Sequence, residues 1–546
     1  MAMQSNDLAG ARRIAEEARR AHPGEAALAK AAGDIALKSG DTTAAQAHFA
    51  SACALAPEML DYALDHAIAL QRLGRYEEVL AILLEREAAA GGDIRYANIR
   101  GATHRALRDL HEAARWYDAA LSLDDRNSLA LRGRSRVALE RNEDAALAFH
   151  DRALAVAPGD ASLWIGKANA LDMAGDHEGA LTVARQIVDQ APGLIDGLSL
   201  LASLRLARGE EEFASHYVEA ARKQPTNPNI PASHCQTLES AQKSSEAAEV
   251  AARARLAFPE IDHFALLEAL HRGSAGDWDA AEAIFTTLEN RTPQRHLHEA
   301  RHRLRAHDPA RADALLERVL EQQPGDIAAW ALRGLAWRLL DDPRAAWLHE
   351  QEGLVNVLPL AGSDDLLERT THHLRALHES SPFPLGQSLR GGTQTRANLF
   401  AYASPVLQEL AGAVMATLEE YRSGLPAFDA GHPLLRHREL SWRLDGSWSV
   451  RLTGGTDHHA AHIHPSGIIS SALYLVVPED VTQAGEAAGG ALELGRPASN
   501  LGLDLPPLRT IRPRPGYLAL FPSTLYHGTT PFRGAERMTV AFDVVV

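Results

Sequence analysis

The sequence predicts an α + β multidomain protein, with an N-terminal all-α solenoid of helical repeats followed by a C-terminal β-rich domain with flanking helices. Three observations predict it. The chain has 546 residues, too many for a single hydrophobic core. Prolines recur at 23, 57, 158, 192, 225, 259, 293 and 324, mostly 33 or 34 residues apart, and Gly40, Gly74, Gly175 and Gly209 repeat the interval independently. After about residue 356 that punctuation gives way to short β-rich runs between Gly and Pro turns.

One repeat unit is visible in "DASLWIGKANALDMAGDHEGALTVARQIVDQAPGL". Trp164, Ala168 and Leu171 share a face of one helix, Gly175 ends it, and Ala180, Ala184 and Ile187 face inward from a second that Pro192 closes. Small residues recur at the inner position of the first helix as Gly33, Ala67, Gly101, Ala168 and Ala202. They let two antiparallel helices approach closely. Trp164 and Trp330 are read as packing residues. The pattern resembles a tetratricopeptide-repeat array of about ten units over residues 5–356. That resemblance implies a right-handed solenoid whose concave surface binds proteins or peptides. The expected domains are 1–356 for the array and 357–546 for the β-rich part.

Beyond 356, "PLAGSDDLLERTTHHLRALHESSP" and "SPVLQELAGAVMATLEEYRSGL" read as helices. From 436 onward "SWSVRLTG", "SSALYLVVP", "ALELG", "YLALFP" and "MTVAFDVVV" read as strands of a sandwich or barrel. The net charge of −16 argues against a nucleic-acid or anionic-membrane partner. No run of eighteen apolar residues suggests a membrane span, and the N-terminal stretch lacks the apolar segment of a signal peptide. Two distant cysteines, Cys53 and Cys235, exclude a disulfide framework, and a cytoplasmic location is the expectation.

The chemistry gathers in "GTDHHAAHIHPSG", which puts His458, His459, His462 and His464 within seven positions. In an extended segment residues i and i+2 point the same way, so His462 and His464 share a face at a spacing one metal ion spans. His458 and His459 read as loop residues, and Asp457 is a carboxylate alternative as ligand. His527 follows a strand and turn 63 residues after His464; Arg537 lies ten residues further on, with Thr539 on the same strand face. Alternation directs Arg537, Thr539 and Ala541 to the interior and Met538, Val540 and Phe542 to the packing outside. The strand is expected to run back beside the one His527 ends, through a turn containing Gly534.

This order resembles the double-stranded β-helix (jelly roll) of iron(II)/2-oxoglutarate oxygenases. It is closest to the bacterial family in which such a domain is fused to tetratricopeptide repeats. The matching segments are "QSLRGGTQT" (387–395), "GSWSVRL" (446–452), "HIHPSGIISSALYLVVPE" (462–479) and "PGYLALFPSTLYHGTTPF" (515–532) followed by "ERMTVAFDVV". The resemblance implies iron(II) held by His462, His464 and His527, and 2-oxoglutarate held by Arg537 and Thr539. It implies a dioxygenase that spends O2 and 2-oxoglutarate to hydroxylate a substrate, releasing succinate and carbon dioxide. Ser388, Arg390, Gln394 and Thr395 are the candidates for lining the site mouth. Ile468 stands where the family pattern has tryptophan, which alters a packing wall and not a ligand. His464 stands where most 2-oxoglutarate oxygenases have a carboxylate, although H-x-H is this family's own pattern. Tyr474 reads as core before cosubstrate contact.

Two rival readings stay open on the residues. One is a metal-binding scaffold without turnover. The other is a cupin-type three-histidine dioxygenase that uses no oxoacid, whose usual glutamate is missing from "HIHPSGII". "SLRGGTQT" lacks the strand-to-helix setting of a phosphate loop. Since every site motif lies after 380, removal of about residues 1–350 is expected to leave a metal-binding domain, with the junction near 365–378 as the point of risk.

Overall fold

The computed structural model describes residues 7–289, 291–362, 364–379, 389–396, 398–453, 457–478, 489–532 and 536–546. The chain divides into two compact units, Met1–Ala174 and Gly175–Val546. Helices α1 (Leu8–Ala21) to α10 (Ala161–Met173) lie in the first unit, and α11 (His177–Gln190) to α21 (Arg344–His349) open the second.

The first unit shows why small residues recur. A Cβ on Gly33 of α2 (Ala26–Lys38) would sit 2.5 Å from the ring of Phe49 on α3 (Thr42–Leu55), and one on Gly101 would sit 2.9 Å from the Tyr117 ring. Ala67 and Ala168 are fully buried at the equivalent place. The turn inside each hairpin needs a left-handed residue, which Gly40 and Gly74 supply with φ of 80° and 73°. In units without that glycine the conformation persists: Arg108, Asn142, Gln242, His307 and Asp341 all have positive φ. An aspartate follows several of these residues and caps the next helix. Asp41 accepts from the Ala44 amide, Asp109 from Glu112 and Asp308 from Arg311. Trp164 and Trp330 each donate an indole N–H to the carbonyl of the proline six residues before, Pro158 and Pro324.

The second unit ends in antiparallel sheets. A six-stranded sheet has the order β1-β9-β6-β11-β4-β3 and a three-stranded sheet the order β10-β7-β8. In chain order these are β1 (Asn356–Pro359), β3 (Thr393–Gln394), β4 (Arg443–Leu452), β6 (Ile469–Val476), β7 (Leu492–Leu494), β8 (Arg509–Ile511), β9 (Tyr517–Pro522), β10 (His527–Thr529) and β11 (Arg537–Val545). A two-residue pair joins β2 (Leu389–Arg390) to β5 (His458–His459). The larger sheet carries α22 (Asp364–Glu379) and α23 (Pro405–Ser423) on its outer face. There Leu407, Leu410 and Val414 pack with Leu473, Val540 and Phe542. The two facing sheets enclose a cavity, as a double-stranded β-helix does.

Two expectations change. His527 does not end a strand that runs beside β11. It opens β10, which pairs with β7 in the smaller sheet, while β11 lies between β4 and β6 in the larger one. The chain therefore crosses from one sheet to the other between them, and Gly534 itself lies outside the described residues. His458 and His459 are not loop residues but form β5. The short strands β1 and β8 were not legible as strands, since three or four residues carry too little alternation.

The last repeats share a core with the β domain. Leu304, Trp330 and Leu348 cluster with Leu501 and Tyr526, with Ile463 packed against them. Polar contacts stitch the same junction. Arg305 Nε donates to the Asn500 carbonyl at 2.9 Å, Arg338 donates to the carbonyls of Gly495 and Pro506, and His349 Nε2 lies 3.1 Å from Thr524 Oγ1. The junction thus extends well before residue 350.

Candidate metal centre

Two backbone bonds build the site. His462 N–H donates to the His527 carbonyl at 3.0 Å and His527 N–H donates back at 2.9 Å, an isolated bridge that ties the H-x-H segment to β10. His462, His464 and His527 then come together, with one nitrogen of each ring within 4.8 Å of the others. The Nε2 atoms of His462 and His464 are 3.0 Å apart.

The outer nitrogens are all taken. Nδ1 of His462 lies 2.8 Å from the Ala460 carbonyl, Nδ1 of His527 lies 3.1 Å from the Leu525 carbonyl, and Nδ1 of His464 lies 2.5 Å from Asp543 Oδ1. Each acceptor holds the proton on Nδ1 and leaves an Nε2 lone pair for the interior. Two such lone pairs facing each other across 3.0 Å repel, and a cation between them relieves this. Burial, with His462 and His464 adjacent, holds His527 well below the usual histidine range, so it stays neutral and competent as a ligand. Three imidazoles on one side of an ion leave its other positions open. The set fits iron(II) as well as zinc or copper, so the surroundings must discriminate.

Arg537 is the most distinctive of these neighbours. Arg537, Thr539 and Ala541 line the cavity beside the three histidines, as alternation predicts, while Met538, Val540 and Phe542 pack outside. Arg537 is only 3% exposed, and its Nε and Nη1 have no hydrogen-bond partner among the described residues. A buried guanidinium with unpartnered N–H groups is costly unless an acceptor meets them. Its Cζ lies 5.7 Å from the ring centroid of Tyr474. Burial pushes the Tyr474 phenol up to about 12, with Arg537 pulling the other way, so a neutral hydroxyl faces the guanidinium. Tyr474 is thus both core and neighbour of Arg537. Val450, Ala472, Leu492 and Phe521 complete an apolar lining.

The remaining candidates divide. Gln394 lines the cavity. Thr395 turns inward to the sheet, its hydroxyl accepting from the Ser449 amide at 2.9 Å. Arg390 lies in β2, and Ser388 lies outside the described residues. Asp457 is no ligand here: it accepts from the Thr453 amide at 3.0 Å. His459 lines the cavity beside His462, ring centroids 6.1 Å apart, without joining the triad. Asp543 was missed, although the alternation that sends Arg537, Thr539 and Ala541 inward reaches it next.

Residues 446–543 match the family model described as "Putative 2OG-Fe(II) oxygenase", and residues 2–59 and 131–195 match "Tetratricopeptide repeat". The C-terminal part of the chain is thus similar to the 2OG-Fe(II) oxygenase family. The matched span contains all three histidines, Arg537, Thr539 and Asp543. Solved structures similar to the repeats include a tetratricopeptide repeat protein from Parabacteroides merdae ATCC 43184, at 19% identity over 43% of this chain and 93% of that one, TM-score 0.35. Another is pilF of Pseudomonas aeruginosa, at 18% identity over 39% of this chain and 94% of that one, TM-score 0.32. No curated protein matches the chain. No described helix is long and apolar enough to cross a membrane.

Proposed function

We propose that the protein is an iron(II)- and 2-oxoglutarate-dependent dioxygenase that hydroxylates a protein or peptide brought to it by the repeat array. Residues 1–356 serve as the array and 357–546 as the oxygenase domain. The observation that carries the reading is the pairing of three inward-facing imidazoles with a buried arginine that has unpartnered N–H groups. His462, His464 and His527 would hold the metal, and Arg537 with the Thr539 hydroxyl would hold the far carboxylate of 2-oxoglutarate. When bound, iron and oxoacid supply the oxidation: one oxygen atom of O2 goes to the substrate C–H bond, the other to succinate, and carbon dioxide leaves.

The chain's own part is positioning and shielding. The Ala460 and Leu525 carbonyls and the Asp543 carboxylate fix the three ring orientations. Asp543 also places a negative charge one hydrogen bond beyond His464, the residue that stands where most 2-oxoglutarate oxygenases have a carboxylate. Phe521, Val450 and Leu492 keep bulk water from the reacting atoms. Cys53 and Cys235 are free thiols, which supports a cytoplasmic location.

The three-histidine set also favours a cupin-type dioxygenase without oxoacid, and Arg537 is the argument against it. Metal analysis tests the ligand assignment. His462→Ala and His527→Ala should each lose stoichiometric iron, while His458→Ala should not. Full retention in both of the first two variants would remove the basis of the reading.

A further inference from the structure

The metal centre opens into a second, wider cavity of about 640 Å³, whose walls come from two parts of the chain. On one side stand His462, His464, Trp448 and Gln394. On the other stand Gln236, Glu239 and Ser240 of repeat helix α14 (Asn229–Ser240), and Gln242 in the left-handed turn that follows it. A third wall is the turn Ser499–Leu501. Arg305, 3% exposed, anchors that turn to the repeats through the Asn500 carbonyl and also holds Ser274 Oγ at 3.1 Å. Leu501 sits in the apolar core shared with the last repeats, and α14 lines the same cavity as His462 and His464.

The lining states what it can hold. Four carboxamide side chains face the cavity, Gln236 and Gln242 from the repeats, Gln394 and Asn500 from the β domain. Each carries both donors and an acceptor, the complement of a peptide group. Neither lysine nor arginine lines it, and the two carboxylates are Glu239 and Asp543, the latter already engaged by His464. A phosphorylated or otherwise strongly anionic ligand would find no counter-charge there. Trp448, with its ring centroid 5.2 Å from that of His464, offers an apolar surface beside the metal ligands for the side chain to be oxidised.

We infer that the substrate is an extended, neutral or basic polypeptide segment whose main-chain amides are read jointly by Gln236 and Gln242 of the repeat array and Asn500 of the β domain. The array is then a wall of the active site as well as a recruiting surface. This rests on the dioxygenase reading above.

The test uses the full-length chain loaded anaerobically with iron(II) and 2-oxoglutarate, immobilised, and exposed to a synthetic library of capped random decapeptides. Mass spectrometry reads the retained pool. Wild type should retain a subset depleted in Asp and Glu. Gln236→Ala/Gln242→Gly, with glycine chosen because φ at 242 is 61°, should retain at least tenfold less. Asn500→Ala, on the opposite wall, should show the same loss. Iron stoichiometry and 2-oxoglutarate affinity should stay at wild-type values in both variants. Equal retention by wild type and variants, or no retention by a wild type that binds iron and oxoacid, would overturn this inference alone. A wild type that binds neither iron nor oxoacid would overturn the functional reading and this inference with it.

Discussion

Replacing Arg537 separates oxoacid binding from metal binding. Its Nε and Nη1 are buried and unpartnered among the described residues, which leaves N–H donors for a carboxylate. Removing one partner of a buried, hydrogen-bonded charge pair costs about 2–5 kcal/mol, or roughly 30- to 5,000-fold in 2-oxoglutarate affinity. Arg537→Lys keeps the charge and loses the fork, so it should fall between wild type and Arg537→Ala. The oxoacid-free protein adds a second signature. There the guanidinium is a buried charge without a carboxylate, so Arg537→Ala should melt no lower than wild type. At 100 times the wild-type dissociation constant 2-oxoglutarate should stabilise wild type by about 2.7 kcal/mol and the alanine variant by about 0.9 kcal/mol at most. Anaerobic calorimetry of iron-loaded protein and paired thermal melts report both effects, with iron content equal across the series. Equal affinity in all three proteins would mean that another residue holds the oxoacid or that none is used.

Asp543→Asn keeps a hydrogen-bond acceptor near His464 but removes the charge. Iron(II) affinity should fall about 10- to 100-fold, read by competition with a chelator, and an unchanged affinity would reduce Asp543 to packing. Arg108 is exposed and held at φ 65°. Arg108→Gly should therefore raise stability by about 1 kcal/mol in urea melts, and a loss would mean that its side chain matters to the turn. A fragment of residues 351–546 should aggregate, because it loses Leu304, Trp330 and Leu348 from the core around Leu501 and Tyr526. A fragment of residues 175–546 should stay soluble and bind iron at full stoichiometry. A monomeric, iron-binding 351–546 fragment would contradict the shared core.

The repeats were legible because Pro and Gly mark a 34-residue period, and the units that looked irregular are the ones whose left-handed turn residue is not glycine. Arg108, Asn142 and His307 hold that turn in place of Gly, a substitution that carries no sequence signal. In the site, the period of two was enough to place His462 with His464 and Arg537 with Thr539, because alternation is a local property of extended chain. Sheet pairing is not local. Nothing near His527 says that β10 joins β7 and not β11, and two-residue β5 is too short to show a period. Asp543 was within reach of the same alternation. The α14 wall was not: more than 200 residues separate Gln236 from His462 in sequence, and they meet only as walls of one cavity in the folded chain.

The most direct test of the account is the fate of 2-oxoglutarate itself. Wild-type protein loaded anaerobically with one equivalent of iron(II) and given 2-oxoglutarate should, on admission of O2, release succinate and carbon dioxide in equal amounts. Release should be slow without a peptide substrate and absent from His462→Ala. A wild type that holds iron and binds 2-oxoglutarate, yet yields no more succinate than free iron under the same conditions, would contradict the account at its centre.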